Sequence, residues 1–309
     1  MCDINHVAAR AAWLSWNMKL NFIFNIKRKD SMPPFRILVS LMLLIAPLAH
    51  AQASSPSEPG IQDNSFLVEE AYNQEFGVVQ HINSFSYLAD SKDWVYSFTQ
   101  EWPVPGIRHQ LSYTLTALRP GSFSSQGPGF GDVVLNYRYQ LVGTGDTRVA
   151  VAPRFSLILP SGNSNRAQGA GATGYQTNLP ASVVLNRRFV THWNAGATFI
   201  PHARNAAAER ASVVAYNLGQ SVIWQTTPRF NVMLETFFLR GQGIVAPGKT
   251  EWSTTLFVNP GIRWAYNFKN GLQIVPGIAM PIGIGPSYGE KGVFLYLSFE
   301  HPFRNLKTK

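Results

Sequence analysis

The sequence predicts an all-β fold, a transmembrane antiparallel up-and-down β-barrel of twelve strands. Three observations predict it. Segments of about ten residues alternate between apolar and polar side chains, as barrel strands do. The links between these segments alternate between short and long. Charged residues make up only 14% and aromatic residues 13% of the chain, yet the mean hydropathy is −0.05. Strands with one face in lipid and the other toward a polar lumen account for this combination.

An export signal precedes the predicted barrel. Residues 32–36 form a positive start, residues 37–48 an apolar run, and Ala49-His50-Ala51 a small-x-small cleavage site. We predict cleavage after Ala51. The apolar run is too short to cross a bilayer as a helix. Residues 1–31 carry no export pattern of their own, so initiation at Met32 would give a leader of ordinary length.

Composition argues against several functions of the mature chain. The single cysteine, Cys2, lies in the part predicted to be removed, so we expect no disulfide and no thiolate metal site. Six of the 26 Lys and Arg and two of the 17 acidic residues precede Gln52, which leaves a mild excess of +5. No basic run or basic helix is present, so nucleic-acid binding is not expected.

The N-terminal segment before the barrel has two parts. Residues 52–64 are rich in Ser, Pro, Gln and Gly and predict a flexible tether. Residues 66–80, with Glu69, Glu70 and Glu75, are locally acidic. Two interpretations stay open: a segment at the periplasmic rim or inside the lumen, where it would meet Arg side chains as a plug, and a solvated lead-in to the first strand. The predicted boundaries are a leader at 1–51, this segment at 52–77, a barrel at 78–303 and a tail at 304–309.

The first six predicted strands differ in regularity. The first is the least regular, and the second places Trp94, Tyr96, Phe98 and Trp102 on one face. The third sets Leu111, Tyr113 and Leu115 opposite Gln110, Ser112 and Thr114, and the fourth is the most regular of all. The fifth and sixth repeat the pattern. Their limits are 78–88, 94–102, 109–118, 132–141, 149–160 and 175–187.

The last six predicted strands continue the alternation. The eleventh contains Pro276 and is followed by Pro281, which a central strand rarely tolerates. The twelfth places Val293, Leu295, Leu297 and Phe299 toward lipid, and Phe294, Tyr296, Ser298 and Glu300 toward the lumen. It must pair with the first strand to close the barrel. The limits of these strands are 193–201, 214–224, 230–240, 252–266, 272–280 and 292–303.

The links test the barrel independently. Links after even-numbered strands are short, at 103–107, 142–148, 188–192, 225–229 and 267–271. Links after odd-numbered strands are longer and richer in Gly, at 119–131, 161–174, 202–211, 241–251 and 282–291, and only 89–93 departs. Short periplasmic turns and long extracellular loops are typical of outer-membrane barrels. The Gly-rich run 162–174 is therefore expected to be a mobile extracellular loop.

Charges on the inward faces are the candidates for a solute path. An Arg on the lipid face near the midplane would cost about 2–4 kcal/mol, so these charges belong in the lumen. They can form structural cross-barrel ion pairs, a solute-selecting polar pathway, or both. With one tyrosine, the candidates are Glu101, Asp132, Arg138, Arg154, Glu235, Arg263, Tyr296 and Glu300. The strand-end tryptophans are expected to form interfacial girdles. They are Trp94, Trp102, Trp224, Trp252 and Trp264.

The search for catalytic and metal patterns yields no candidate. HExxH is missing, and no Cys or His cluster has ligand spacing. The GxSxG spacing at residues 285–289 and the Walker-type spacing at residues 243–250 both fall in links predicted between strands, without the helix that each motif needs. His192, His202 and His301 are expected to be surface or rim residues. A hydrolase on the barrel would need a nucleophile, a base and an orienting group at one height, and no such set is visible. We therefore expect no enzyme, metal site or cofactor.

A family resemblance adds to this interpretation. Gly127-Pro-Gly-Phe-Gly131-Asp132 starts a strand that runs to Leu141, a second strand ends in Leu159-Pro-Ser-Gly162, and a glycine-rich loop follows. This pattern resembles the outer-membrane transporter-like family named for the meta-pathway of phenol degradation. The stretches EEAYNQE and GVVQH resemble a transporter-like subgroup of it. The clear match covers about residues 127–203, and its motifs are structural. The resemblance implies passage of small, aromatic compounds and supplies no catalytic residue.

Three hypotheses of function follow. The first is an outer-membrane channel or facilitator for small, aromatic or hydrophobic solutes. The second is a structural or ligand-binding outer-membrane barrel with a plugged lumen, and the third is an outer-membrane hydrolase. The expected partners are outer-membrane lipid, a small-molecule solute and the barrel-assembly machinery, because Phe303 resembles the C-terminal recognition signal of exported barrels. The six residues after it depart from that signal.

Overall fold

The computed structural model of the chain describes residue 61 and residues 63–303. The predicted leader with Cys2, the cleavage site after Ala51, most of the predicted tether and the tail 304–309 lie outside the described residues. Within the described residues, no helix is long and apolar enough to cross a membrane.

Twelve antiparallel strands form a closed barrel, as the sequence predicts. β1 pairs with the last strand along its whole length, from Val78 opposite Pro302 to Leu88 opposite Gly292. Such closure leaves no open sheet edge, which is the condition for strands to cross a bilayer. The strands are β1 (Val78–Leu88), β2 (Trp94–Pro103), β3 (His109–Arg119), β4 (Gly129–Phe130 and Val133–Tyr139), β5 (Val149–Val151 and Arg154–Leu159), β6 (Gly174–Val184), β7 (Phe189–Arg204), β8 (Arg210–Thr227), β9 (Phe230–Ala246), β10 (Lys249–Trp264, continued by Tyr266–Asn267), β11 (Gln273–Ala279 and Ile282–Gly283) and β12 (Gly292–Pro302).

The two faces of the strands follow the predicted alternation. In β3, Ser112 and Thr114 are buried in the interior while Leu115 is 40% exposed on the outside. In β12, Tyr296 is buried and Leu295 is 44% exposed. Below, the terminal end is the end of the barrel that holds Val78 and Pro302, and the loop end is the opposite one. Short 3-10 helices, Gly121–Gln126, Ser164–Arg166 and Gly285–Ser287, lie in the links at the loop end.

Two of the predicted long links are wrong. β7 continues to Arg204 and β8 begins at Arg210, while β9 continues to Ala246 and β10 begins at Lys249. The glycines at 241 and 243 do not end β9, because both remain paired with residues of β10. The ladder therefore outweighs the weak strand preference of glycine. As a result, the strands of the wall from β7 to β10 are longer than the others.

The glycine-rich loop 162–174 packs against the barrel, in contrast to the mobile loop expected from its composition. Its backbone amides at Gly162 and Ala170 donate to the two carboxylate oxygens of Asp132, over 2.9 and 2.7 Å. The carbonyl of Ala170 accepts from the amide of Arg204 over 2.8 Å. Asp132 is buried, and its carboxylate anchors this loop.

The two prolines of β11 differ in position. Pro276 lies inside the paired strand, opposite Leu297 of β12, although a strand interior rarely tolerates proline. Pro281 lies in the break between the two parts of the strand, where a missing N–H interrupts no ladder bond. Across this break, the amide of Met280 donates to the carbonyl of Pro260 over 2.9 Å. Residues 257 and 258 resume pairing with residues 282 and 283 in the same register, so β10 and β11 remain adjacent.

Candidate functional site

Residue 61 and residues 63–77 are called the plug below. Residue 61 and residues 63–74 lie inside the barrel, whereas Glu75 and Phe76 are exposed near its terminal end. The plug side chains of Phe66, Val68 and Ala71 are buried. The plug backbone belongs to no strand. The plug contacts β10 and β12 first, then β8 and β9, then β7 and β5, and finally β6, β4 and β3 before it joins β1. This path crosses the lumen.

The start of the plug is held by a buried arginine and a buried carboxylate. Arg263 is 1% exposed and donates to the carbonyls of Asp63 and Asn64 over 2.8 and 2.6 Å. The carboxylate of Asp63 accepts from Tyr296, Ser298 and Gln80. A charged group that is buried without partners is costly. The plug carbonyls supply acceptors for Arg263, and the wall side chains supply donors for the carboxylate of Asp63.

Phe66 occupies a slot in the wall that two glycines create. A Cβ at Gly277 would lie 2.6 Å from a ring carbon of Phe66, and one at Gly261 would lie 2.4 Å from another. The Phe66 ring also contacts Phe294 and Tyr296, with centroids 5.7 and 5.8 Å away. Any side chain at either glycine position would therefore push the ring out.

Glu235 accepts hydrogen bonds from backbone amides in the middle of the plug, as the carbonyls of a neighbouring strand would. One of its carboxylate oxygens accepts from the amides of Leu67 and Val68, over 2.8 and 3.0 Å. The other accepts from the side chain of Asn259 over 2.7 Å. Buried peptide N–H groups must be paired, and a fully buried carboxylate is stabilised by such donors.

Neutral side chains of the wall bind four further plug amides. Each accepts one backbone N–H, so the plug is bound without β-pairing. The bonds run from Glu69 to Asn194 (2.8 Å), from Ala71 to Ser182 (2.8 Å), from Asn73 to Gln140 (2.9 Å) and from Gln74 to Gln110 (2.8 Å).

Arg138 binds the plug at residues 70–73. Its guanidinium donates to the carbonyls of Glu70 and Tyr72 and, over 2.9 Å, to the side chain of Asn73. Its Nη2 atom also lies 3.9 Å from a carboxylate oxygen of Glu101. The arginine therefore connects Glu101 of the wall with the plug carbonyls, and its donors are directed to the plug.

A polar chamber of about 80 Å³ adjoins the plug. Arg154 and Glu69 form a bidentate ion pair at its edge, with N···O distances of 3.0 and 2.9 Å. Amides, hydroxyls and four apolar side chains supply most of the remaining lining, together with Glu101. The lining residues are Leu67, Glu69, Ile82, Thr99, Glu101, Ser112, Thr114, Val134, Asn136, Arg154, Gln176, Asn178, Asn194, Asn217, Gly219 and Phe237.

Glu70 belongs to the plug and differs from its neighbour Glu69. Burial, helped by the charge of the nearby Asp63 and opposed by Arg138, raises the pKa of Glu70 to about 8. One of its carboxylate oxygens has no hydrogen-bond partner. A protonated carboxyl costs less to bury than an ionised one, so the neutral form of Glu70 suits the seated plug.

The structure places the predicted site residues in different roles. Glu101, Arg138, Arg154, Glu235, Arg263 and Tyr296 face the interior and contact the plug or its partners, and Glu300 faces inward at the terminal end. Among the described strand charges, Arg138 pairs with Glu101 and Arg154 pairs with Glu69 of the plug. Glu235 and Arg263 instead bind backbone groups of the plug, which is an alternative to the cross-barrel pairs expected. Asp132 anchors a loop.

The sequence does not reveal the side-chain amides that bind the plug backbone, and it misplaces one histidine. Gln110, Gln140 and Asn194 belong to the polar half of an alternating pattern. That pattern does not distinguish a side chain that binds the plug from one that only lines the lumen. His192 was expected at the surface, but it is 2% exposed. It faces the interior, where its Nδ1 atom lies 2.7 Å from the Oγ atom of Ser182.

The Ser182–His192 contact supports packing rather than hydrolysis. The Oγ atom of Ser182 accepts the amide of Ala71, and the side chain is fully buried under the plug. The ring of Tyr72 packs edge-on against His192 with centroids 6.0 Å apart. No group of three or more potential metal-ligating side chains occurs among residues 61 and 63–303.

Gly277→Ala is expected to unseat Phe66. The added Cβ would meet the ring at 2.6 Å, and overpacking of this kind costs about 1–3 kcal/mol. Faster hydrogen–deuterium exchange at residues 65–69, with unchanged exchange in β1 and β12, is the measurement. Phe66→Ala removes the clash, so adding Gly277→Ala to it should have little further effect. A further increase in exchange in the double variant would contradict this account.

Comparison with known proteins supports the fold. No family model matches the chain, and no curated protein matches it. Among solved structures, an outer-membrane channel from Pseudomonas putida F1 superposes with a TM-score of 0.53 at 14% identity, covering 75% of this chain and 97% of that one. The NanC porin superposes with a TM-score of 0.46 at 10% identity, covering 71% of this chain and 98% of that one.

The closed barrel and its apolar outer surface define the class of protein. Twelve antiparallel strands that expose leucines and aromatic rings outward and polar groups inward form a β-barrel of the outer-membrane type. The structural similarity to the Pseudomonas channel extends over most of the barrel. This chain is therefore an outer-membrane β-barrel with a segment of its own sequence inside the lumen.

Proposed function

We propose that the chain is an outer-membrane channel for small solutes and that the plug closes its path in the described state. The observation that carries the proposal is the way the plug is attached. Its amides are bound by single side chains of the wall, such as Glu235 and Asn194, and not by a β-ladder. Such contacts can be exchanged for water one at a time, so the plug can leave while the barrel remains closed.

The chamber lining supports small solutes with mixed character. Phe237, Val134 and Ile82 offer apolar contact, while Asn178 and Asn217 offer hydrogen bonds. Ligand sites commonly combine apolar walls with a few polar groups that orient the ligand. The small aromatic or hydrophobic compounds that the sequence resemblance implies fit the apolar part, and the amides favour solutes that also carry a polar group.

The second candidate is a structural or ligand-binding barrel whose lumen stays plugged. The burial of Arg263 and Glu235 against the plug favours it, because removing the plug exposes both charges. The two candidates differ in one property. In a channel the plug must move for solute to pass, whereas in a plugged barrel no solute passes in either case.

A disulfide between plug and wall tests the proposal. The Oγ atoms of Ser65 and Ser221 are 2.7 Å apart and both side chains are buried, so Ser65→Cys with Ser221→Cys places two sulfurs within bonding reach. The only native cysteine is Cys2. We expect the oxidised double variant in proteoliposomes to admit small sugars and amino acids at the background rate. Reduction should restore the wild-type rate.

The single variants Ser65→Cys and Ser221→Cys are the controls, since neither can form the bond within one barrel. Both should behave as wild type with and without reductant. Equal solute flux above background through the oxidised and reduced double variant would show that the plug does not gate the path. Background flux through wild type as well as through the reduced variant would favour the permanently plugged barrel.

A further inference from the structure

The Arg154 guanidinium is held by the wall independently of the plug. Its Nη1 atom donates to the side-chain oxygen of Asn136 over 2.8 Å, and its Nη2 atom donates to that of Gln176 over 3.0 Å. Ser156 is a further acceptor on the same strand. These partners belong to β4, β5 and β6, so the barrel itself orients the guanidinium.

The partner that the plug supplies is a carboxylate. The Nε and Nη2 atoms of Arg154 donate to the two carboxylate oxygens of Glu69, over 3.0 and 2.9 Å. This is the two-pronged geometry that matches a planar guanidinium to a carboxylate. Both side chains keep partial exposure, 14% for Arg154 and 13% for Glu69, and both line the chamber.

We propose that Arg154 is a carboxylate-binding site for the transported solute, and that Glu69 is an internal occupant which a solute carboxylate replaces. The proposal rests on the proposed channel function and adds the class of solute, a small organic monocarboxylate. The exchange is balanced, because one carboxylate leaves the guanidinium as another arrives. It therefore avoids the cost of a partly buried arginine without a partner.

The other charges near the chamber limit which anion fits. Glu101 also lines the chamber, where it accepts from the side chain of Gln110 over 2.7 Å and lies 3.9 Å from Arg138. A second negative group on the solute would meet this carboxylate. The remaining contacts are neutral amides and the apolar side chains of Phe237 and Val134. One carboxylate with a small uncharged body suits this lining.

Arg154 differs in this respect from the other two inward arginines. Arg138 and Arg263 are buried and bind carbonyls of the plug backbone. A solute carboxylate can reach those arginines only after the backbone itself has moved. At Arg154 it needs to displace one side chain, since the backbone of Glu69 is bound separately by Asn194 over 2.8 Å at both its N–H and its carbonyl.

Binding of a carboxylate is expected to loosen the plug. A ligand that binds only where the Glu69 side chain has left shifts the population toward such states. By linkage, any change that removes the Glu69 carboxylate must strengthen binding of the ligand. The apparent affinity of the wild type is reduced by the fraction of molecules in which the site is vacant. Glu69→Gln should therefore bind a carboxylate more tightly than wild type.

Fluorine NMR titration of the detergent-solubilised protein tests this with difluoroacetate and its neutral isostere difluoroacetamide. Excess sodium chloride saturates any general anion site. We expect Glu69→Gln to raise the affinity for difluoroacetate by about tenfold or more. This is the factor expected when the Glu69 carboxylate occupies the site in about nine of ten wild-type molecules. Arg154→Gln should abolish this binding, and Arg154→Lys should weaken it because the bidentate geometry is lost.

Difluoroacetamide should bind weakly and equally to wild type and to Glu69→Gln. Equal affinity of the two probes, or an unchanged affinity for difluoroacetate in Glu69→Gln, would overturn the proposal. Heat-modifiable migration on gels checks that each variant forms the barrel. Because the titration needs no flux, a channel that fails to conduct and an arginine that fails to bind carboxylate give different results.

Discussion

Deletion of residues 52–77 is expected to convert the closed barrel into a conducting one, raising its conductance in planar bilayers by about an order of magnitude or more. The plug side chains Phe66, Val68 and Ala71 are buried inside the lumen. Without them, water reaches the polar face of every strand. The wall charges that held the plug, Glu235 and Arg263, then become hydrated, which offsets their lost partners.

A shorter deletion, of residues 52–60, is the matched control. It removes the chain that precedes the plug and leaves the contacts of Asp63 and Phe66 in place, so conductance should stay at the wild-type level. Barrel formation by both variants is checked by heat-modifiable migration. If the longer deletion forms the barrel but conducts no better than wild type, the wall itself closes the lumen and the channel proposal fails.

Leu297→Lys is expected to impair membrane assembly severely. Leu297 lies on the outward face of β12, between inward-facing Tyr296 and Ser298. Lysine near the bilayer midplane on this face costs about 2–4 kcal/mol, and β12 is the strand that closes the barrel against β1. The measurement is the fraction of protein in the outer membrane that shows heat-modifiable migration after expression at matched levels.

Ser298→Lys is the control at the next position. Ser298 faces the interior, and its hydroxyl donates to Asp63 of the plug, so the new ammonium would meet a carboxylate instead of lipid. We expect this variant to assemble, with a disturbed start of the plug. Equal assembly of the two variants would refute the assignment of faces in β12.

The strand faces were predictable because their cause is local, and closure followed because lipid tolerates no open sheet edge. Alternation in β3 and β4 follows from the period of two in a strand, whatever surrounds it. The limits of β7 to β10 were less predictable. Glycines 241 and 243 indicate a loop when considered alone, and only their partners in β10 keep them in a strand.

The interior roles were predictable only in part. That Arg154 and Arg263 face inward follows from the cost of placing them in lipid. Their partners do not follow, because Glu69 and Arg154 are separated by 85 residues and Asn64 and Arg263 by 199. The sequence left the acidic segment open between a plug and a lead-in. Contacts between such distant residues depend on the curvature of the closed wall.

The sequence by itself determined that this chain forms an outer-membrane barrel, since lipid on one side and lumen on the other impose a pattern on every strand. Tertiary structure alone decided what the lumen contains. The backbone amides of Leu67 and Val68 need acceptors once they leave water, and Glu235 of β9 supplies one for both. The slot for Phe66 likewise exists only where Gly261 and Gly277 lie diagonally across the neighbouring strands β10 and β11.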